Sequence, residues 1–445
     1  MDMMMRNQLK RILSSGTGTP LWTKNYPILT LASAISYMGN ATMSFAMGLC
    51  ILDLFDSVLV FSLYLFCYSA AKIAAPLFAG ALLDRSSRTK AIYLLDFTSA
   101  AIYFFYWLFY QTSWFSVGFF FVGAVMIGVI DSVYKVAFGS LYPMAVAKEN
   151  LSQAYSIFSV METLACVMVP VAAVLYKFIG IRSIFLIGAV LFCTAAVTET
   201  FIHIKETYAE DRDRLTLRSY LADFKDGFAF LRPEKALIVT IFVFSVAMLV
   251  VGVQGTIWLP YFKESYENGY FWYLLVTGAN MSGRFIGGSV LYFVRIPRRK
   301  KYLFTCIFLL VSGVFHALSL SIPLLAACIL QYIAGITDVA AYNLNTASVF
   351  GYLRDERKAR YLGIFSMCAN LGLLAGQLSS GILSEVISLP LINMISGVLL
   401  AAATAAGFGL VGRSAIAALY LQEEQPPEQT VQPELDRTHT ERSEA

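Results

Sequence analysis

The chain has 445 residues, of which 58% are hydrophobic and only 14% charged, with a mean hydropathy of +0.66 and a formal net charge of +4. A soluble domain carries about a quarter charged residues, so this composition excludes an ordinary soluble protein. The small positive balance follows membrane topology once its position along the chain is traced, and it points to no nucleic-acid partner.

A membrane span needs about 20 mostly apolar residues. Runs of that kind fall at 27–52, 58–83, 91–110, 114–138, 153–176 and 183–204, then at 237–261, 270–294, 302–321, 323–347, 361–386 and 389–412. The layout predicts an all-α integral membrane protein of twelve transmembrane helices in two six-helix, pseudo-symmetric halves, 27–204 and 237–412. Residues 1–26 form a basic N-terminal tail and 205–236 a linker. Leu217, Tyr220, Leu221, Phe224, Phe228 and Leu231 of the linker share one face of a predicted amphipathic surface helix. Residues 413–445 form a polar tail expected to be disordered.

The basic residues orient this layout. Loops on one side hold only Lys177, Arg182 and Lys263, and the spans themselves hold Lys72, Lys135 and Arg284. The other 27 of the 33 Lys and Arg residues fall on the opposite side with both termini, which the positive-inside bias marks as cytoplasmic. Trp107 with Trp114, and Trp258 with Trp272, bracket two outer turns in the manner of interfacial aromatics. All seven cysteines sit in apolar runs without a C-x-x-C pair and read as packing residues. Met1–Thr23 lacks the short apolar core of a cleavable signal, so the first span is expected to direct insertion.

The turn Gly80-Ala81-Leu82-Leu83-Asp84-Arg85-Ser86-Ser87-Arg88-Thr89-Lys90 joins the second and third spans. Its Gly80, Asp84, Arg85 and Arg88 resemble the loop signature of the major facilitator superfamily, with Ser87 where that family usually has glycine and Thr89 where it usually has a basic residue. Gly39-Asn40 in the first span and Asp96 in the third resemble the drug-exporter branch that includes macrolide-efflux and enterobactin-exporter proteins. Tyr142-Pro143 and Lys148–Ala154 are similar to the same branch. Val169-Pro170-Val171-Ala172-Ala173 keeps the proline and small residues of an antiporter motif but not its glycines. The loop Arg295–Lys301 repeats the basic residues of the first-half loop without its acid.

A charge at bilayer depth is costly and needs a partner or a wet cavity. At about 1.5 Å per residue, Lys72, Glu162, Arg284 and Asp338 lie roughly 14–16 Å inside their spans, near the midplane. The resemblance implies that the fifth and eighth spans meet, which would pair Glu162 with Arg284 across the halves. It also implies a cavity-facing Asp338 acting as proton carrier. Lys72 can reach Asp131 or Asn370. Asp131 and Lys135, four apart on one face, can neutralise each other, and Lys135 can snorkel. Neither His316 nor His203 stands at metal-ligand spacing, and both read as structural. By helix number, Asn40, Gln254, Trp258, Asn280, Tyr332, Asn343 and Gln377 can offer substrate contacts.

The resemblance implies a secondary transporter of the cell membrane, working as a monomer in the bilayer by alternating access. It would need no cofactor beyond an ion gradient, expected to be of protons, and would do no enzymatic chemistry. Proton-coupled export of an amphipathic small molecule, a drug or siderophore, is the first expectation. The alternatives are a proton-coupled importer of a sugar, peptide or metabolite, a lysolipid flippase, and a transport-inactive membrane sensor.

Overall fold

The computed structural model describes residues 22, 25–83, 86–110, 112, 116–147, 150–204, 231–293, 296–411 and 419–421, and among these it contains helices and no strand. The first half holds α1 (Asn25–Phe55), α2 (Val58–Leu83), α3 (Arg88–Phe109) and α4 (Val117–Leu141), followed by a short 3-10 turn, Tyr142–Ala145. The element Leu151–Glu199 then runs on through Gly180, whose φ of 71° and ψ of 162° break it into two helices, α5 (151–179) and α6 (181–199). The second half holds α7 (Lys235–Ser265), α8 (Gly269–Phe293), α9 (Arg298–Leu318), α10 (Leu324–Tyr352), α11 (Asp355–Leu383) and α12 (Leu389–Thr404), with a π-helical continuation Ala405–Val411.

Ten stretches of the described residues are long and apolar enough to cross a membrane. The corner at Gly180 makes one of them, Val167–Glu199, serve both α5 and α6. Outside these ten stands α8, 25 residues long, with Asn280 and Arg284 in its middle. This is the architecture of a multi-pass integral membrane protein. The predicted linker helix and most of both tails fall outside the described residues.

Each half repeats one packing plan. In the first, α2 packs on α4, while α1 and α3 pack on the α5–α6 element; in the second, α8 packs on α10, α7 on α11 and α9 on α12. Apolar side chains face these contacts and also the lipid, where burial is not required, so residues such as Phe104, Val122 and Ile329 stand exposed. The two ends of the bundle differ. One end, here the basic end, carries the turns at 86–87, 146–147, 296–297 and 353–354. The far end carries the turns at 56–57 and 266–268.

The halves meet chiefly where α2 packs on α11 and α7. Near mid-depth the Gln377 amide donates to Ser69 Oγ at 3.2 Å. Closer to the far end, Phe45 stacks on Tyr273 with ring centroids 6.0 Å apart. Leu259 of α7 belongs to the buried cluster built from Met47, Phe61, Tyr103, Tyr106 and Phe185 of the first half. The far end is thus sealed by a core shared between the halves.

Trp258 departs from its expected interfacial place. It is buried, and its indole N–H donates to Asn393 Oδ1 of α12 at 3.1 Å. The reason is the length of α7, which runs on to Ser265 and leaves Trp258 two turns inside the helix.

Candidate functional site

Proline and glycine set the site in the first half. Pro76 inside α2 has no backbone N–H, so the carbonyl of Lys72, four residues earlier, loses its helical donor. Ser132 Oγ on α4 donates to that carbonyl at 2.7 Å. One turn away, a Cβ on Gly128 would overlap the carbonyl oxygen of Tyr68, so the two backbones can touch only with glycine there. These contacts fix the register of α2 against α4 and bring three ionisable side chains together.

Asp131 is the centre of that group. It is 4% exposed, and its Oδ2 lies 2.7 Å from Lys72 Nζ and 3.5 Å from Lys135 Nζ. The same oxygen accepts a hydrogen bond from the Tyr68 hydroxyl at 3.1 Å. The two ammonium groups also stand over aromatic faces, Lys72 over Tyr68 at 5.5 Å and Lys135 over Tyr37 at 6.0 Å. Of the partners within reach of Lys72, the structure supplies Asp131.

A cavity of about 400 Å³ opens beside this cluster. Its wall includes Asn40, Tyr37, Phe45, Tyr68, Lys72, Asp131 and Lys135 from the first half, with Gly255, Leu259 and Tyr273 from the second. A volume of that size suits a small organic molecule.

The second half builds the same device at the corresponding place. A Cβ on Gly335 of α10 would overlap the carbonyl oxygen of Asn280 on α8. One turn along both helices, Arg284 Nη1 lies 3.7 Å from Asp338 Oδ2. The surroundings then differ, because α9 adds Ser312, whose hydroxyl donates to Asp338 Oδ1, and His316, whose Nε2 lies 3.2 Å from Oδ2. His316 Nδ1 in turn meets the amides of Gln254 at 2.8 Å and Gln331 at 3.2 Å. His316 is 4% exposed, and its two ring nitrogens lie between the Asp338 carboxylate and this pair of amides.

Two expectations change here. Arg284 faces Asp338 within its own half, because the Gly335 contact draws α10 onto α8; the side chain of Glu162 lies outside the described ones. Asp338 is not part of the cavity wall given above, since Ser312 and His316 hold it towards α9. Among the polar contacts proposed from helix number, Asn40 lines the cavity. Gln254 turns to His316, Trp258 to Asn393 and Asn280 to Gln331. Tyr332 lies against Gly283 through its carbonyl, and Asn343 is exposed.

Sequence reasoning missed Tyr37, Tyr68 and Tyr273 as wall residues. Tyr68 stands four residues before Lys72, the spacing at which helical side chains meet, and that signal was available. It also missed Glu199, whose Oε1 accepts a hydrogen bond from Tyr134 at 2.8 Å while its Oε2 is buried without a partner among the described residues. Asp96 is buried in the same bundle and accepts from Ser36 of α1.

Of the loop signature, Gly80 lies in the last turn of α2, while Asp84 and Arg85 fall outside the described residues. Arg88 opens α3 and its Nη1 lies 3.6 Å from Met144 Sδ. Ser87, the departure from the family pattern, is the N-cap of α3, and its hydroxyl accepts from the Lys90 amide at 3.2 Å.

At the far end Asp53 gathers both halves. It accepts from the Tyr176 hydroxyl at 2.6 Å and the Tyr270 hydroxyl at 2.8 Å, and it lies 2.9 Å from Lys263 Nζ. Lys263 also lies 3.7 Å from Asp56 and donates to the Leu52 carbonyl at 3.4 Å.

Comparison with known proteins places this geometry. Similar solved structures include a variant of the nucleoside transporter NupG, 13% identical with a TM-score of 0.66, covering 86% of this chain and 99% of that one. The POT family transporter PepTSo is 12% identical with a TM-score of 0.64, covering 89% and 99%. At these identities the likeness is one of fold. No curated protein matches the chain in sequence. The family model of the Major Facilitator Superfamily matches residues 29–330 and 293–442, and the chain belongs to that family.

Proposed function

We propose that this chain is a secondary active transporter that exports an amphipathic small molecule across the cell membrane by alternating access, coupled to a proton gradient. The observation that carries this reading is the cavity at mid-depth, walled by side chains of both halves and sealed at the far end by their shared core. Rocking of the halves would open that seal and close the basic end, so the cavity would face each side in turn. With the basic end cytoplasmic, the structure would be the inward-facing state. The likeness of Gly39-Asn40, Asp96 and the Tyr142–Ala154 region to the drug-exporter branch supports export.

The proton carrier in this reading is Asp338, working with His316. Histidine changes charge near neutral pH, and a carboxylate shared with a basic side chain can pass a proton without exposing a bare charge to lipid. Neither cofactor nor partner subunit enters the scheme; the chain acts as a monomer in the bilayer, with both termini cytoplasmic.

The test is uptake of a panel of fluorescent amphipathic dyes into inverted vesicles with an acidic interior. Gradient-driven uptake that Asp338→Asn abolishes, while dye exchange at zero gradient persists, is the expected result. Uptake that ignores the gradient, or that vesicles lacking the protein show equally, would overturn the reading.

A further inference from the structure

We infer that the cavity selects organic anions, with Lys72 and Lys135 receiving the carboxylate or phosphate of an aromatic or apolar substrate. This inference rests on the transporter reading and names the substrate class of the same site. The charge balance among the described side chains is its basis. Two ammonium groups share one carboxylate, and both contact the same oxygen, Asp131 Oδ2. Asp131 is nearly buried, with a side chain 6% exposed, whereas the side chains of Lys72 and Lys135 remain 35% and 43% exposed. The acid is therefore consumed inside the protein, and the excess positive charge is presented to the cavity.

The rest of the wall supplies the other end of such a ligand. Tyr37, Phe45, Phe61, Tyr68 and Tyr273 line the cavity, and Phe45 and Tyr273 already stack across the two halves. An aromatic ring of a ligand can pack against such faces. A lysine ammonium is a point charge on a flexible stem, suited to one anionic oxygen cluster without the forked geometry arginine demands. Asn40 and Ser44 add neutral hydrogen-bonding groups to the same wall.

The arrangement also gives a reason for coupling of movement to loading. Among the described side chains, an empty site carries one positive charge in excess near mid-depth, and closing the protein around it removes that charge from water. A bound anion brings the cluster to neutrality. The loaded carrier then changes state more readily than the empty one, because the ligand binds the occluded state better than the open state.

The experiment is equilibrium binding to the full-length protein in nanodiscs, using three probes of one shape: 1-naphthoate, 1-naphthamide and 1-naphthalenemethylamine. The acid should bind at least tenfold more tightly than the amide and the amine. Lys135→Gln, which leaves Lys72 and Asp131 as a neutral pair, should erase most of that preference, and Lys135→Arg should restore part of it. An amide or amine that binds as well as the acid would sink the anion assignment and leave the transporter reading standing. So would a preference for the acid that persists unchanged in both Lys135→Gln and Lys72→Gln. Failure of all three probes to bind, combined with no dye movement in the vesicle test, would sink both.

Discussion

The two halves carry the same helix contact and use it differently. Gly128 and Gly335 each let one helix touch its neighbour's backbone, and three residues later each helix presents an aspartate to a basic residue on the other. In the first half the pair is joined by a second lysine and faces the cavity. In the second half the pair is joined by a histidine and a serine and turns towards α9. One scaffold thus yields two ammonium groups on one carboxylate at one place, and a carboxylate held by arginine, histidine and serine at the other. The comparison teaches that the repeat preserves the contact, while the residue one turn further on, or on the third helix, decides the chemistry.

Removing each acid should expose the difference most strongly. Asp131→Ala leaves the ammonium groups of Lys72 and Lys135 side by side without the carboxylate they share, and like charges in one place repel. Asp338→Ala leaves a single arginine without its carboxylate, so its loss of stability should be clearly smaller. Thermal unfolding of the purified proteins in one detergent checks the order, and equal losses would refute the asymmetry.

A smaller effect separates the roles. His316→Gln keeps hydrogen-bonding capacity beside Asp338 but cannot carry a proton. It should flatten the pH dependence of transport and leave naphthoate affinity within about twofold. A pH profile that stays unchanged would remove His316 from the coupling path. The smallest effect belongs to the far-end ion pair. Lys263→Gln breaks a half-exposed salt bridge of the kind worth about 0.2–1 kcal/mol. It should shift the balance of the two access states by no more than about fivefold, measurable as altered labelling of a far-end cysteine probe.

Much of this arrangement was legible in the residues. Hydrophobic runs long enough to cross a bilayer located the helices to within a few positions, because lipid demands continuous apolar length. The midplane charges stood out for the same reason. Their pairing was less legible, since α8 was expected against α5 and Arg284 against Glu162. Backbone contacts at Gly335 set Arg284 against Asp338, and a glycine in a membrane helix looks the same in sequence whether or not a neighbour touches it. The wall aromatics were hidden by composition: with 34 Phe and 25 Tyr in the chain, the few that line the cavity carry no mark of their own. Trp258 shows the converse error, in which an aromatic near a predicted span end turned out to be a core hydrogen-bond donor.

Asp53 at the far end has a consequence of its own. One carboxylate holds Tyr176 from α5, Tyr270 from α8 and Lys263 from α7. Bonds that share a single acceptor do not fail independently: displacing the carboxylate releases all three elements together. The seal should therefore behave as a switch with two positions and a sharp threshold, without a series of half-loosened intermediates.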